Sequence, residues 1–172
     1  EGWDLEHDTV QGAQSLLSTI KRVLIEEPLL WRQGLLLGGF WFLYPLGFYV
    51  YVLWLPSLVK AKGFGEDTKY LSVLLAGLAQ LPGTLMASRL ISHPSLGRKK
   101  LVLACTVGCS IAMAAFAIAS TLTGLLVAII LLNFATAAAW SVLYTITPES
   151  FPTVIRATAF GVCTFIARLG GI

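Results

Sequence analysis

Long apolar runs alternate with short charged stretches along the chain. Each of the first four runs holds about twenty residues or more, the length at which an α-helix crosses roughly 30 Å of hydrocarbon. The pattern predicts an all-α integral membrane protein with five spans: Gly34–Leu58, Tyr70–Leu90, Leu101–Ser120, Leu125–Thr147 and Ala157–Ile172. The fifth span is too short for a full crossing and the chain begins at Glu1 rather than Met, so we expect a fragment.

The distribution of Lys and Arg between the loops predicts the orientation. One side would hold Lys21, Arg22, Arg32, Arg89, Arg98, Lys99, Lys100 and Arg156, and the other Lys60, Lys62 and Lys69. The positive-inside rule assigns the richer side to the cytoplasm. The loops Ser92–Lys100 and Pro148–Arg156 are then cytoplasmic, and the Lys60–Lys69 loop and a tight Ser120–Gly124 turn face outward.

Residues 1–31 are predicted to form a separate cytoplasmic segment, and residues 32–172 the transmembrane bundle. Between Gln11 and Glu27 the apolar positions follow helical spacing, with basic residues on the opposite face. This spacing predicts an amphipathic helix, ended by Pro28, that lies on the membrane surface or packs on the bundle.

Composition excludes several classes of function. Hydrophobic residues make up 56% of the chain and charged residues only 12%, whereas soluble domains are about a quarter charged. The net charge of +3 reflects Lys and Arg in loops rather than a nucleic-acid surface. The sequence has no phosphate-binding loop, paired catalytic carboxylates or His/Cys ligand cluster. We therefore expect no enzyme activity, no catalytic residue, no metal, no cofactor and no nucleic-acid partner.

Two spans carry polar and aromatic stripes at helical spacing. These are Trp41, Tyr44, Phe48 and Tyr51 in the first span, and Asn133, Thr136, Trp140 and Tyr144 in the fourth. Hydroxyl and amide groups at this depth need hydrogen-bond partners. Lining a wet, solute-sized cavity would supply them, and helix packing or an interhelical hydrogen bond is the alternative. Gln80, in the second span, admits both interpretations and is taken as structural.

One cation, Arg168, is predicted near the bilayer centre. It follows Arg156, at the cytoplasmic surface, by twelve residues, and that length of helix rises about 18 Å. A charge at this depth costs at least ~2.5 kcal/mol and usually marks a substrate, a partner or a pathway. No Asp or Glu lies within the predicted spans. The counter-charge would be a substrate anion, a carboxylate elsewhere in the protein, or helix carbonyls and water.

Loop motifs resemble those of a known family. The run PESFPTVIRATAFG, from Pro148 to Gly161, resembles the loop after the tenth helix of major facilitator superfamily transporters. The run LPGTLMASRLISHPSLGRKK, from Leu81 to Lys100, resembles the loop after their eighth helix. The ending ARLGGI is similar to the eleventh helix of the sugar-porter, organic-ion and synaptic-vesicle-like branches. One departure is Ser92, near the position where the family usually has Asp.

The resemblance implies an architecture. The five spans would be helices seven to eleven of a fold in which two six-helix bundles rock about a central site. Helices seven and ten, which carry the two stripes, would line that site. Arg98, Glu149 and Arg156 would form a charge network at the cytoplasmic gate. The N-terminal half of the same transporter would be the main protein partner.

The function implied is secondary active or facilitative transport of a small organic solute by alternating access. The protein would be multi-pass, in the lipid bilayer, with the plasma membrane as the expected location. An organic anion fits Arg168, whereas a sugar-like solute fits the hydrogen-bonding aromatic residues. A receptor or scaffold that keeps the transporter fold without transport is the alternative, and coupling to ions is left open.

The orientation generates the first prediction. Single cysteines can be placed at Ser95 and Glu66 in a background without the native cysteines. The two should differ in how strongly an impermeant thiol reagent labels them on intact cells. Glu66→Cys should be labelled and Ser95→Cys should not, because the positive-inside rule makes the loop at Ser95 cytoplasmic. The reverse labelling would contradict the topology.

Overall fold

The computed structural model describes residues 28–93 and 97–172, which form five α-helices. We number them α1 (Pro28–Ala61), α2 (Glu66–Ile91), α3 (Arg98–Ile118), α4 (Leu122–Glu149) and α5 (Arg156–Gly170). The segment before Pro28, with its predicted amphipathic helix, lies outside the described residues.

The all-α prediction with five helices is confirmed, and the protein is an integral, multi-pass membrane protein. The helices α1 to α4 are each long and apolar enough to cross a membrane, while α5 has 15 residues. Most helices extend past their predicted spans. For example, α2 begins at Glu66 rather than Tyr70, and α4 begins at Leu122 rather than Leu125.

The turn between α3 and α4 is shorter than the sequence suggested. It was expected at Ser120–Gly124, but α4 already begins at Leu122. The cause is a side-chain cap, since the hydroxyl oxygen of Thr121 accepts a hydrogen bond of 3.2 Å from the backbone N–H of Gly124. Such a cap satisfies one of the free N–H groups at a helix start and fixes where the helix begins.

Contacts between residues divide the chain into two compact units. Unit 1 comprises the described residues up to Leu46 together with Pro148–Ile172, and unit 2 comprises Gly47–Thr147. Unit 2 has a buried apolar core to which four helices contribute. Its buried members are Tyr51, Leu55, Val59, Ala76, Ala112, Phe116, Leu125, Ala128, Ile129 and Leu132.

Within unit 2, small side chains let α2 approach its neighbours. All five buried residues of α2 are small, and they recur every three or four positions: Ser72, Ala76, Ala79, Gly83 and Ala87. At Gly83 the approach is closest, because a Cβ atom built there would collide with the backbone carbonyl of Phe134 in α4. Close approach of this kind drives helix association in lipid, where burial of apolar surface gains little.

The end of α1 is tied to the end of α3 by a lysine. The ammonium of Lys62 donates hydrogen bonds of 2.9 Å to the backbone oxygens of both Ala117 and Ala119, and it lies 5.7 Å from the ring centre of Phe116. These oxygens belong to the last turn of α3, where carbonyls lack helical partners. Gly63, with a φ of 84°, terminates α1 in the left-handed conformation that glycine favours.

Unit 1 pairs α1 with α5. Gly38 lies against Ile166, and a Cβ atom at Gly170 would collide with the backbone carbonyl of Phe42. The two pairs share the same sequence offset, so the helices run parallel in this unit. Trp41 is buried in the same unit, with its ring 6.1 Å from that of Phe160 in an edge-to-face arrangement.

The exposed surfaces of the helices are apolar. Leu36 and Leu53 of α1 and Leu85 of α2, for example, are each more than half exposed. In a soluble protein, patches of this kind would drive aggregation. On helices of this length they are the surfaces that meet lipid or further helices.

The close contact at Gly83 generates the second prediction. Gly83→Ala should lower the melting temperature of the detergent-purified protein by several degrees, because the added methyl group must displace the α4 backbone, and overpacking typically costs about 1–3 kcal/mol. Gly77→Ala is the matched control in the same helix, since nothing lies within 4 Å of a Cβ atom there. Equal melting temperatures for the two variants would contradict the packing.

Candidate functional site

A hydrogen-bond network joins three helices in the middle of unit 2. Asn133 of α4 is 1% exposed. Its Nδ2 donates to the hydroxyl of Tyr51 in α1 at 3.0 Å and to the backbone oxygen of Ile129 at 2.9 Å. Its Oδ1 accepts a hydrogen bond of 3.4 Å from Nε2 of Gln80 in α2. We call Tyr51, Asn133 and Gln80 the amide network.

The amide network satisfies Asn133. Both Nδ2 hydrogens and the carbonyl oxygen of this side chain have partners, so the cost of burying an amide away from water is offset. The interhelical hydrogen bond, one of the two interpretations of Asn133 from the sequence, is therefore present. A contact with a solute stays a prediction.

An aromatic cluster lies on α1 and α4, two of the three helices that the amide network joins. The rings of Phe48 and Trp140 are 6.2 Å apart and nearly perpendicular, and those of Trp140 and Tyr144 are 5.7 Å apart. Tyr144 is 48% exposed and the other two are half-buried. A group of adjacent, partly exposed aromatic rings can stack on a flat ligand or hold a cation.

The remaining members of the predicted stripes are more enclosed. Thr136 is buried between Asn133 and Trp140 on α4, and its Oγ1 lies 3.5 Å from Sγ of Cys109. In unit 1, Tyr44 is half-buried and stacks on Phe40 with ring centres 5.3 Å apart. The structure thus brings Phe48, Tyr51 and the four residues of the α4 stripe together in unit 2, and it assigns Trp41 and Tyr44 to unit 1.

Arg168 lies in unit 1, in the last turn of α5, and its side chain is exposed. Gly170, two residues later, packs against Phe42, which is near the middle of α1. Arg168 is therefore level with the middle of α1, and its depth in the bilayer stays a prediction. Among the residues that the structure describes, its guanidinium makes no hydrogen bond or ion pair.

The predicted gate residues lie at helix ends, and the charge of each has the sign that the helix dipole disfavours at that end. Arg98 and Arg156 are the first residues of α3 and α5, and Glu149 is the last residue of α4. The helix dipole favours acidic groups at the first turn and basic groups at the last. These three exposed charges therefore do not stabilise the ends of their own helices.

Unit 1 also contains an open cavity of about 300 Å³ between the start of α1 and α5. Its walls are almost entirely apolar, with Trp31, Phe151 and Ile166 among the lining residues. A polar solute would lose its hydration there without gaining hydrogen bonds. The amide network and the aromatic cluster offer the better chemistry for an organic solute.

Sequence reasoning missed two contacts. The sequence favours a structural role for Gln80 but names no partner, and nearby Pro82 does not indicate that Asn133 is its acceptor. Lys62 was counted only as a loop cation, yet its ammonium is fixed on the end of α3. The one available signal is Gly63, which marks the end of α1 and so places Lys62 directly after the last residue of that helix.

Comparison with known proteins gives a single family. The family model of the Major Facilitator Superfamily matches residues 4–172. A Bacillus subtilis protein named as a niacin/nicotinamide transporter, NiaP, is 38% identical over 159 residues, which cover 92% of this chain and 39% of the relative. The niacin transporter NiaP of Acinetobacter baylyi is 38% identical over 82% of this chain and 32% of its own length.

A more distant relative carries a different name. Organic cation/carnitine transporter 7 of Arabidopsis thaliana is 29% identical over 62% of this chain and 21% of its own length. The chain thus spans less than half the length of the curated relatives that it matches.

Proposed function

The chain belongs to the major facilitator superfamily, and from that premise we propose that it is part of a transporter that carries a small heteroaromatic carboxylate of the niacin class across the membrane. It would supply helices seven to eleven, and the N-terminal half of the same protein would complete the cavity. The two relatives that are 38% identical bear niacin in their names. Niacin combines a flat pyridine ring with a carboxylate, and this chain offers chemistry suited to each.

The observation that carries the proposal is the half-open aromatic cluster of Phe48, Trp140 and Tyr144. Most aromatic side chains of a membrane helix face lipid or pack in the core, whereas these three form a contiguous group next to polar side chains. A pyridine ring stacked on such a group gains contact area and favourable ring–ring geometry. Tyr144, which is 48% exposed, is the member of the cluster that the ring would reach first.

Arg168 suits the carboxylate. A guanidinium is always charged and presents a planar fork of donors that matches a carboxylate. Its position level with the middle of α1, and the absence of an ion-pair partner within the described residues, favour a ligand as its counter-charge. This argument also favours niacin over an organic cation, which Arg168 would repel.

Alternating access would be controlled at Arg98, Glu149 and Arg156. Charges that do not stabilise their own helix ends are suited to pairing across helices, and such pairs can form in one state of the transporter and break in another. An exposed pair contributes only ~0.2–1 kcal/mol. That is enough to shift the populations of two states and too little to decide whether the protein folds.

The third prediction tests the carboxylate contact. In the full-length protein, Arg168→Lys should raise the apparent Michaelis constant for niacin by about tenfold, since the charge is kept and the fork is lost. Arg168→Gln should raise it further. The inhibition constant of nicotinamide, whose neutral amide replaces the carboxylate, should change little in either variant. The measurement is uptake of radiolabelled niacin, with surface abundance of each variant determined in parallel.

Arg89→Gln is the matched control, because it removes an exposed arginine at the end of another helix and should leave uptake unchanged. Normal niacin uptake by Arg168→Gln at normal abundance would contradict the role of Arg168. A surface-expressed wild-type protein that takes up neither niacin nor nicotinamide would favour a receptor or scaffold instead.

The fourth prediction concerns the gate. Glu149→Gln and Arg98→Gln should each slow niacin uptake several-fold without changing surface abundance, because the loss of a weak pair shifts the equilibrium between inward-open and outward-open states. Lys99→Gln, which removes the neighbouring charge, is the control for Arg98. If both gate variants transport at the wild-type rate, the pairing has no role in transport.

A further inference from the structure

The apolar cavity of unit 1 lies where α1 and α5 separate. All the residues that line it belong to unit 1. A Cβ atom at Gly38 would lie 3.4 Å from Ile166 of α5. One turn earlier on α1, Gly34 lines the cavity, and a Cβ atom there would have no other atom within 4 Å. The two helices therefore touch at Gly38 and leave a space of about 300 Å³ between their starts.

The lining of the cavity favours an apolar occupant. Among the described residues that line it, only Thr158 has a hydroxyl group, and none is charged. An ordered water molecule needs two to four polar partners, which this lining does not supply. An empty space of this size would leave the lining side chains without dispersion contacts on one side. A hydrocarbon group satisfies both conditions.

The volume of the cavity limits the shape of the occupant. One turn of an α-helix with its side chains is about 10 Å wide and 5.4 Å long, which corresponds to on the order of 400 Å³. A space of about 300 Å³ therefore does not admit a further helix. A single flexible hydrocarbon chain is much narrower than a helix and fits between α1 and α5.

The position of the cavity matches the orientation of a lipid. Trp31, at its rim, is 56% exposed, and tryptophan is enriched at the level of the lipid headgroups. The next residue, Arg32, is exposed and makes no ion pair with the residues that the structure describes. On α5 the lining extends from Ile155 to Ile166, which is about 16 Å along the helix. The cavity thus has a cation at one end and only apolar depth beyond it.

We propose that this cavity binds one acyl chain of an anionic phospholipid, with the phosphate at Arg32 and the chain between α1 and α5. The guanidinium forms charge-assisted hydrogen bonds with phosphate oxygens. Leu35 and Val162, which line the cavity, are each at least half exposed, so a chain enters from the surrounding lipid without passing a polar group. The inference concerns a lipid site and does not depend on which solute the protein carries.

Photolabelling of the full-length protein tests the site. The probe is phosphatidylglycerol with a photoactivatable diazirine on one acyl chain, in nanodiscs of phosphatidylcholine. After irradiation, mass spectrometry should find the label on lining residues such as Leu35, Val162 and Ile166. Unlabelled phosphatidylglycerol should compete about fivefold better than added phosphatidylcholine, because one basic residue near an anionic headgroup contributes about this factor.

Two variants fill the cavity from opposite walls. Gly34→Leu and Ala159→Leu each place a larger side chain in the space and should reduce labelling of the lining residues at least several-fold. Gly47→Leu is the matched control, because Gly47 is an exposed residue of α1 outside the cavity, with nothing within 4 Å of a Cβ atom. Melting temperatures identify a variant that does not fold, in which case the other decides.

The headgroup contact has its own variant. Arg32→Gln should abolish the preference for phosphatidylglycerol, whereas Arg89→Gln, at the end of another helix, should keep it. The inference is overturned if the lining residues of the wild type are not labelled, as when another part of the full-length protein covers the cavity. Equal competition by the two lipids overturns it too, as does unchanged labelling in the folded filled variants or an unchanged preference in Arg32→Gln.

Discussion

A polar side chain that is enclosed by apolar helices cannot form hydrogen bonds with water, so other groups of the protein must supply its hydrogen-bond partners. Several hydroxyl groups among the described residues meet the requirement locally. For example, Ser72, Thr106 and Thr147 each donate to the backbone oxygen four residues earlier in their own helix. The longer amides of Asn133 and Gln80 instead bond across helices. The hydrogen bonds of these two amides join α1, α2 and α4 around one polar centre.

That centre depends on how closely two backbones approach. Gly83 lies one turn from Gln80 on α2, and Phe134, whose carbonyl it meets, directly follows Asn133 on α4. A side chain at Gly83 would push the helices apart at the level where the two amides meet. The amide contact is already 3.4 Å long, so a small displacement is sufficient to break it. The small stripe on α2 is therefore part of the site as well as of the packing.

Hydropathy in the sequence was sufficient to predict the number, type and order of the helices, because the hydrocarbon thickness imposes their length. The ends of the helices depend on main-chain hydrogen bonds and caps instead, which is why the Thr121 cap shortens the turn before α4. The requirement for partners at Asn133 was predictable, but their identity was not. Which of several mid-span polar groups it meets depends on the rotation of each helix, and contacts such as that of Gly83 fix this rotation. A loop lysine such as Lys62 carries no signal of a partner more than fifty residues away.

The contact between Lys62 and the end of α3 has a consequence for biosynthesis. The chain is synthesised from its N-terminus, so α1 and Lys62 exist before α3 has left the ribosome. The last carbonyls of α3 then contact the ammonium of Lys62, which was synthesised earlier and directly precedes the turn at Gly63. The end of the later helix is thus specified by an earlier one. Without Lys62, the backbone oxygens of Ala117 and Ala119 would lose this donor.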